Sequence, residues 1–302
     1  LVVCCIINIF FIKIFFVFKN PNLKIFQGFC IISALKMPRY THAILTRLPN
    51  RLELNGKTLH VDLTGAKRQQ EELTEKLRDA GVNVIELAPE DVDELSSLFV
   101  DDYAIVCNGT ALMTPERPGF RTREVVALLL ELGFQVKQAD ADNSNLKLRG
   151  SDVLFTGKEF FVGITSETNL AGAKLVAKSF PEYPTTAFKL QGSHPLKYYV
   201  CTVLNDVLAV GKSNDAQNTL KKIENEAVYK YTTLTLSDDN AVNCFNLNGT
   251  IFTGMHNHGI EKFQSIQECE LQSVAVDELL QFGGLLTQHC LLLKKMKSPK
   301  NA

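Results

Sequence analysis

Short apolar hairpins recur along the chain at nearly constant spacing, and this repeat limits the possible folds more than any other feature. Val106-Cys107-Asn108-Gly109-Thr110-Ala111-Leu112 sets two apolar strands around Asn-Gly, a dipeptide suited to the left-handed backbone of a tight hairpin. Leu154–Phe161 around Gly157, Thr202–Leu208 around Asn205-Asp206, and Phe245–Ile251 around Asn248-Gly249 read the same way. The turns stand at 108, 157, 205 and 248, separated by 43 to 49 residues. A period in this range points to a solenoid or propeller, in which each repeat buries its apolar face against a neighbour.

Most hairpins lead into a helix pattern. Thr122 to Gly133 opens on a Thr cap and ends on Gly, with Val125, Val126, Leu129, Leu130 and Leu132 as its apolar face. Helices are also predicted over Gly65–Ala80, Thr168–Phe180 and Ser213–Ala227, whereas Ile260, Phe263 and Ile266 form only a weak helical stripe. Each helix runs into a further strand, such as Thr232–Leu236, which gives ββαβ units. A last strand, Leu285–Leu293, has no hairpin partner after it, and Thr41–Leu48 has none before it. Pairing the two completes a fifth unit and removes free sheet edges. The predicted fold is a closed five-bladed α/β propeller with a central site; the alternative is an open α/β sheet with evenly spaced turns.

Composition divides the chain of 302 residues in two. Residues 1–36 hold 7 of the 19 Phe, 3 of the 8 Cys, four Lys and no acid. Three readings of this leader stay open. A membrane span needs about 20 apolar residues, but Asn8 and Lys13 interrupt the run. A signal peptide carries its basic residues first, but here the lysines follow. Translated non-coding sequence fits 22 residues of Ile, Phe, Asn or Lys ahead of Met37. The segment is expected to lie outside the fold, leaving 37–302 as one domain and a membrane association only if the leader is real. The whole chain has net charge −1, but without the leader 28 basic and 33 acidic residues remain. That balance argues against a nucleic-acid partner and for an acidic, cation-seeking channel.

Phe99-Val100-Asp101-Asp102, the run Gly150-Ser151-Asp152-Val153-Leu154-Phe155-Thr156-Gly157-Lys158-Glu159-Phe160-Phe161-Val162-Gly163, and Gly284-Leu285-Leu286-Thr287 closely resemble dimethylarginine dimethylaminohydrolase. That family belongs to the guanidine-modifying five-bladed propellers, with the arginine and agmatine deiminases. The resemblance runs from about Thr41 to Lys295 and implies hydrolysis of Nω-methylated arginine to citrulline and methylamine or dimethylamine. It places the chain in arginine metabolism and nitric oxide regulation. It implies a small guanidinium-type ligand, no cofactor or metal, and a monomer or homodimer. In that chemistry carboxylates hold the guanidinium, a thiolate attacks its carbon, and a His protonates the leaving amine and then activates water.

Carried over residue by residue, the resemblance gives His194 as the catalytic His, with Pro195 inserted after it, and Asp102 as the acid that orients it. Asp101 stands for the guanidinium-binding Glu, one methylene shorter. Paired acids ahead of a strand also make ordinary solvated turns, and a single His is usually unremarkable. Arg121 matches a substrate-contacting arginine or is an ordinary residue at a helix start. Asp152 matches a family acid or caps a strand.

Other positions depart from the family. The nucleophilic Cys is replaced by Gln288, whose carboxamide cannot form the covalent intermediate. Gly283 replaces a guanidinium-binding acid, Ser96 an acid that recognises the amino group, and Glu167 an arginine that clamps the carboxylate. Cys290 is a possible substitute nucleophile; on an extended strand it would lie roughly 6.6 Å along the same face. The lid after Leu48 is shortened. The cluster of departures predicts a family member whose reaction is lost or much reduced, so that binding of an arginine-like or polyamine cation, or a purely structural role, stands as the alternative.

The five cysteines after the leader (107, 201, 244, 269 and 290) show no C-x-x-C pair, so a reducing compartment, the cytoplasm, is expected. Asn108-Gly-Thr and Asn248-Gly-Thr match glycosylation sequons, but tight turns already account for them. His256-Asn257-His258 lacks a third ligand at metal-site spacing and reads as a loop.

Overall fold

The structure, a computed structural model, describes residues 2–8, 11–17, 39–50, 53–54, 57–58, 61–89, 95–115, 120–139, 145–254, 260–266 and 269–294. The chain divides into two units, 1–36 and 37–302. In the first, Val2–Asn8 pairs antiparallel with Phe11–Val17. His256-Asn257-His258, Lys295 and residues 51–52, 55–56 and 59–60 lie outside the described residues.

The second unit holds five three-stranded sheets and a short two-stranded one, Glu53–Leu54 with Lys57–Thr58. In each of the five, two antiparallel strands are followed by a third that returns parallel to the middle one. The first blade joins Leu291–Leu293, His42–Thr46 and Asn83–Leu87, so the two ends of the domain share one sheet. The second joins Ala104–Cys107, Thr110–Met113 and Gln135–Lys137, and the third Val153–Phe155, Phe160–Ile164 and Thr185–Lys189. The fourth joins Val200–Leu204, Val207–Val210 and Thr232–Thr235. Phe245–Leu247, Thr250–Gly254 and Glu270–Val274 form the fifth. The predicted Asn-Gly turns are used: Asn108 and Asn248 take φ 45° and 55°, each followed by a left-handed Gly.

Strand alternation closes the ring. Successive side chains on a strand point to opposite faces, and here both faces are apolar. Ala43 and Leu45 pack into a core shared with Phe245, Leu247 and Phe252 of the fifth blade. Ile44, between them, packs with Leu291, Ala104 and Ala111 toward the second. Ile105 and Leu112 then meet Val153, Phe160 and Val162 of the third blade. Phe161 and Leu154 meet Val200 and Leu208 of the fourth, and Cys201, Val203 and Ala209 meet Ile251 of the fifth. Five cores therefore join five blades in a cycle.

Helices cover the outer return paths. Leu63–Asp79 is capped by the Asp62 carboxylate and buries Ala66, Leu73 and Leu77. Arg121–Glu131 opens after Phe120 without a side-chain cap, so the predicted Thr122 cap is not used. Ile260–Ser265 is a 3-10 turn rather than a helix. The predicted strand Leu285–Leu293 is also corrected: only Leu291–Leu293 is extended, and Leu286–His289 is a 3-10 turn. Consecutive left-handed residues Gly283 and Gly284, at φ 87° and 78°, bend the chain just before that turn.

Ile44→Ala is expected to destabilise the domain by about 2–5 kcal/mol, because it opens a cavity between the first two blades. Urea unfolding measures this; a loss under about 1 kcal/mol would show that the shared core does not hold the closure.

Candidate active site

A short helical turn precedes the first strand of every blade. These turns are Val100–Tyr103, Gly150–Asp152, Leu196–Tyr199, Asp239–Ala241 and Leu286–His289. Their side chains meet in one network. Ser151 N–H donates to Asp102 Oδ1 at 2.8 Å, joining the second and third blades. Leu196 N–H donates to Asp152 Oδ1 at 3.3 Å, joining the third and fourth. Asn243 Nδ2 donates to the Lys197 carbonyl at 3.0 Å and to Thr287 Oγ1 at 3.1 Å, joining the fourth blade to the fifth and the fifth to the first. Gln288 Nε2 donates to Asp102 Oδ2 at 2.6 Å and completes the circuit. Across it, Lys197 Nζ pairs with Asp101 Oδ2 at 2.5 Å.

Close approach of the turns depends on Gly150. A Cβ there would lie 2.0 Å from the Asp101 carbonyl oxygen, so any side chain would push the second and third blades apart.

A cavity of about 510 Å³ opens over the network. Asp102, His194, Glu167, Ser96 and Gln288 line it, with Phe99, Pro195, Lys147, Arg149 and Leu285 among their neighbours. The fold therefore brings together five of the residues singled out in the sequence. The lining is mixed, and the expectation of an acidic channel is corrected to that extent: Lys147 and Arg149 face the same space as Asp102 and Glu167. Arg149 also lies 3.4 Å from the buried Asp152 carboxylate.

Gln288 is buried and held at both ends. Its Oε1 accepts from Leu285 N–H at 2.8 Å while its Nε2 bonds Asp102. A hydrogen bond to a buried carboxylate is among the stronger kinds, worth about 1.5–3 kcal/mol. Asp101 is spent on Lys197; burial raises its carboxyl above the usual range and the ammonium pulls it back. His194 is exposed, its imidazole stacked on Tyr198 at 4.0 Å between ring centres. Its backbone N–H donates to Tyr199 Oη.

Two sequence candidates lie off the cavity. Arg121 is fully buried, and its guanidinium bonds Glu124 and, at 2.6 Å, the Ala88 carbonyl. Cys290 is in the core between the fifth and first blades, outside the cavity lining. Because residues 286–289 turn rather than extend, it does not share a strand face with Gln288. Burial, then the Asp101 carboxylate, pushes its thiol well up, away from the thiolate a nucleophile needs. Gly283 shapes the turn; Gly284 and Leu285 are the residues there that line the cavity.

Sequence reading underrated Asp152, which is fully buried and accepts from Thr165 and Thr168 hydroxyls, each at 2.8 Å, as well as from Leu196. It positions the segment carrying His194. Ser151, Lys197, Asn243 and Thr287 were missed as network members. A signal for them existed, since each falls just ahead of a blade's first strand, where Asp101 and Asp102 do. Among the described residues, no group of three His, Cys, Asp or Glu is placed to hold a metal, and no helix is long and apolar enough to cross a membrane.

Five three-stranded blades around a central polar network define a five-bladed α/β propeller. The chain matches no protein-family model. It is 31% identical over 273 residues to human putative hydrolase DDAH2, covering 84% of this chain and 95% of that protein. Cattle putative hydrolase DDAH2 is 30% identical over the same span. The chain belongs to the dimethylarginine dimethylaminohydrolase (DDAH) family. Its fold matches a mutant DDAH from Pseudomonas aeruginosa solved with citrulline, with TM-score 0.66 and 17% identity over 84% of this chain and 100% of that one. It also matches the N-terminal domain of ArgZ, a cyanobacterial arginine dihydrolase, with TM-score 0.70 and 16% identity over 84% and 98%.

His289 supplies a pH test. Burial lowers its pKa from 6.5 to about 4, partly opposed by a hydrogen bond with the Gly283 backbone. The unfolded chain therefore binds more protons between those values, and stability falls as pH drops through that window, by about 3 kcal/mol in all. Relative to wild type, His289→Gln is expected to flatten the pH dependence of urea unfolding between pH 6.5 and 4. Parallel curves would remove His289 as the cause.

Proposed function

We propose that this protein is a DDAH-family member whose cavity admits a small guanidinium-type cation and which has lost the hydrolysis of Nω-methylated arginine. The observation that carries this reading is the Gln288 carboxamide on Asp102, in the position that the family resemblance assigns to the nucleophile. A neutral amide has no lone pair basic enough to add to a guanidinium carbon, and its two ends are already bonded. Cys290 gives no substitute, being buried in a core with its thiol pKa raised. Asp102 and His194, which the resemblance gives as the orienting acid and the catalytic His, both line the cavity.

Glu167 at the cavity mouth bears on ligand choice. A carboxylate there repels the carboxylate of an amino acid, whereas a cation without one meets no such charge. None of the domain's five cysteines is in a disulfide, which suits a reducing compartment such as the cytoplasm.

Purified full-length protein is expected to release no citrulline from dimethylarginine above blank at high protein concentration. Gln288→Cys is expected to raise release above wild type, since loss of a covalent nucleophile costs on the order of a thousand-fold or more. Citrulline release by wild type that His194→Ala abolishes would overturn the reading. In calorimetry, agmatine is expected to bind several-fold tighter than arginine, with the gap narrowed in Glu167→Gln. Tighter binding of arginine would refute the assignment of Glu167.

A further inference from the structure

One buried carboxylate behind the cavity holds three stretches of its wall. Asp152 Oδ2 accepts from the hydroxyls of Thr165 and Thr168, each at 2.8 Å, and Oδ1 from Leu196 N–H at 3.3 Å. Arg149, which lines the cavity, stands 3.4 Å from the same Oδ2. Thr165 and Thr168 lie in the short connection between strand Phe160–Ile164 and helix Leu170–Ser179. Glu167, exposed and lining the cavity, lies between them.

The direction of each bond follows from the acceptor. An ionised carboxylate only accepts, so both hydroxyl hydrogens point at Asp152 and both oxygens keep lone pairs for other donors. Thr165 Oγ1 accepts from Glu167 N–H at 3.1 Å and from Thr168 N–H at 3.2 Å. Thr168 Oγ1 accepts from Arg149 N–H at 3.1 Å. Thr165 N–H donates to the Thr168 carbonyl at 2.9 Å and closes the turn. The Lys147 ammonium donates to the Ser166 carbonyl at 2.8 Å. Glu167 is therefore exposed at its side chain but fixed at its backbone, on a relay that starts at Asp152. Valine has the shape of threonine without the hydroxyl, so Thr165→Val strips two amides of their acceptor and releases Glu167.

We infer that Thr165 is a positioning residue for ligand choice: held by Asp152, it keeps the Glu167 carboxylate at the cavity, where it disfavours ligands that carry a carboxylate. This role depends on the repulsion proposed for Glu167. Thr165 itself is outside the cavity lining and acts through its neighbour.

Calorimetry with agmatine and arginine on the full-length protein tests this role. The agmatine preference of wild type is expected to fall in Thr165→Val to the ratio of Glu167→Gln, and to fall no further in the double variant. Thr165→Ser, which keeps the hydroxyl, is expected to retain the wild-type ratio. A merely structural Thr165 would weaken both ligands alike. A wild-type ratio in Thr165→Val beside a narrowed one in Glu167→Gln would overturn the inference. Amide hydrogen exchange reads the same relay without ligand: Glu167 and Thr168 N–H are expected to exchange about ten-fold faster in Thr165→Val, with strand Phe160–Ile164 unchanged. Wild type without an agmatine preference, but with that faster exchange, would remove the role of Glu167 and keep the hold on its backbone. Unchanged exchange would remove the role of Thr165.

Discussion

Burial of the blade strands on both faces is the constraint on which the rest of this structure depends. Ala43 and Leu45 face one core and Ile44 the next, and the same division recurs in Phe160 to Val162 and Leu208 to Val210. No blade can satisfy both faces alone, so each requires two neighbours. Five blades meet that requirement by closing on themselves, with Leu291–Leu293 beside His42–Thr46 as the seam. Closure also covers the apolar faces that an open stack would leave bare at its two ends.

Closure has a chemical consequence. The five entry turns carry polar groups at the inner strand ends, and those groups must be satisfied where they are buried. Between blades, Asp102 accepts from Ser151 and Gln288, Asp152 accepts from Leu196, Asn243 bonds Thr287, and the Lys197–Asp101 pair spans the ring. In a network of this kind a change at one position acts on two blades. Gln288 is a structural partner in this network: its amide donates to Asp102 Oδ2 and to Ser151 Oγ.

The repeat of hairpins and the fusion of chain ends into one blade were legible in the sequence, because Asn-Gly turns and period-two apolar strands leave local marks. The ordering of Asp102, His194, Glu167, Ser96 and Gln288 around one cavity followed from the family resemblance rather than from any local pattern. What escaped was of two kinds. Arg121 was misread because a helix-start arginine looks exposed in sequence, while the fold buries its guanidinium against the Ala88 carbonyl. Leu286–His289 was read as strand because four residues of apolar and amide character carry no period, and the Gly283-Gly284 bend before it is a backbone property. Asn243 was the most accessible omission, since the repeat itself marks the residue ahead of each blade.

The central claim is that Gln288 serves the fold as a partner of Asp102. A double-mutant cycle of Asp102→Asn and Gln288→Leu, read by urea unfolding, tests it most directly. A coupling of about 1.5–3 kcal/mol between the two positions is expected for a buried hydrogen bond to a carboxylate. Additive losses within about 0.5 kcal/mol would contradict the account, leaving Gln288 as a passive replacement with no hold on the carboxylate beside it.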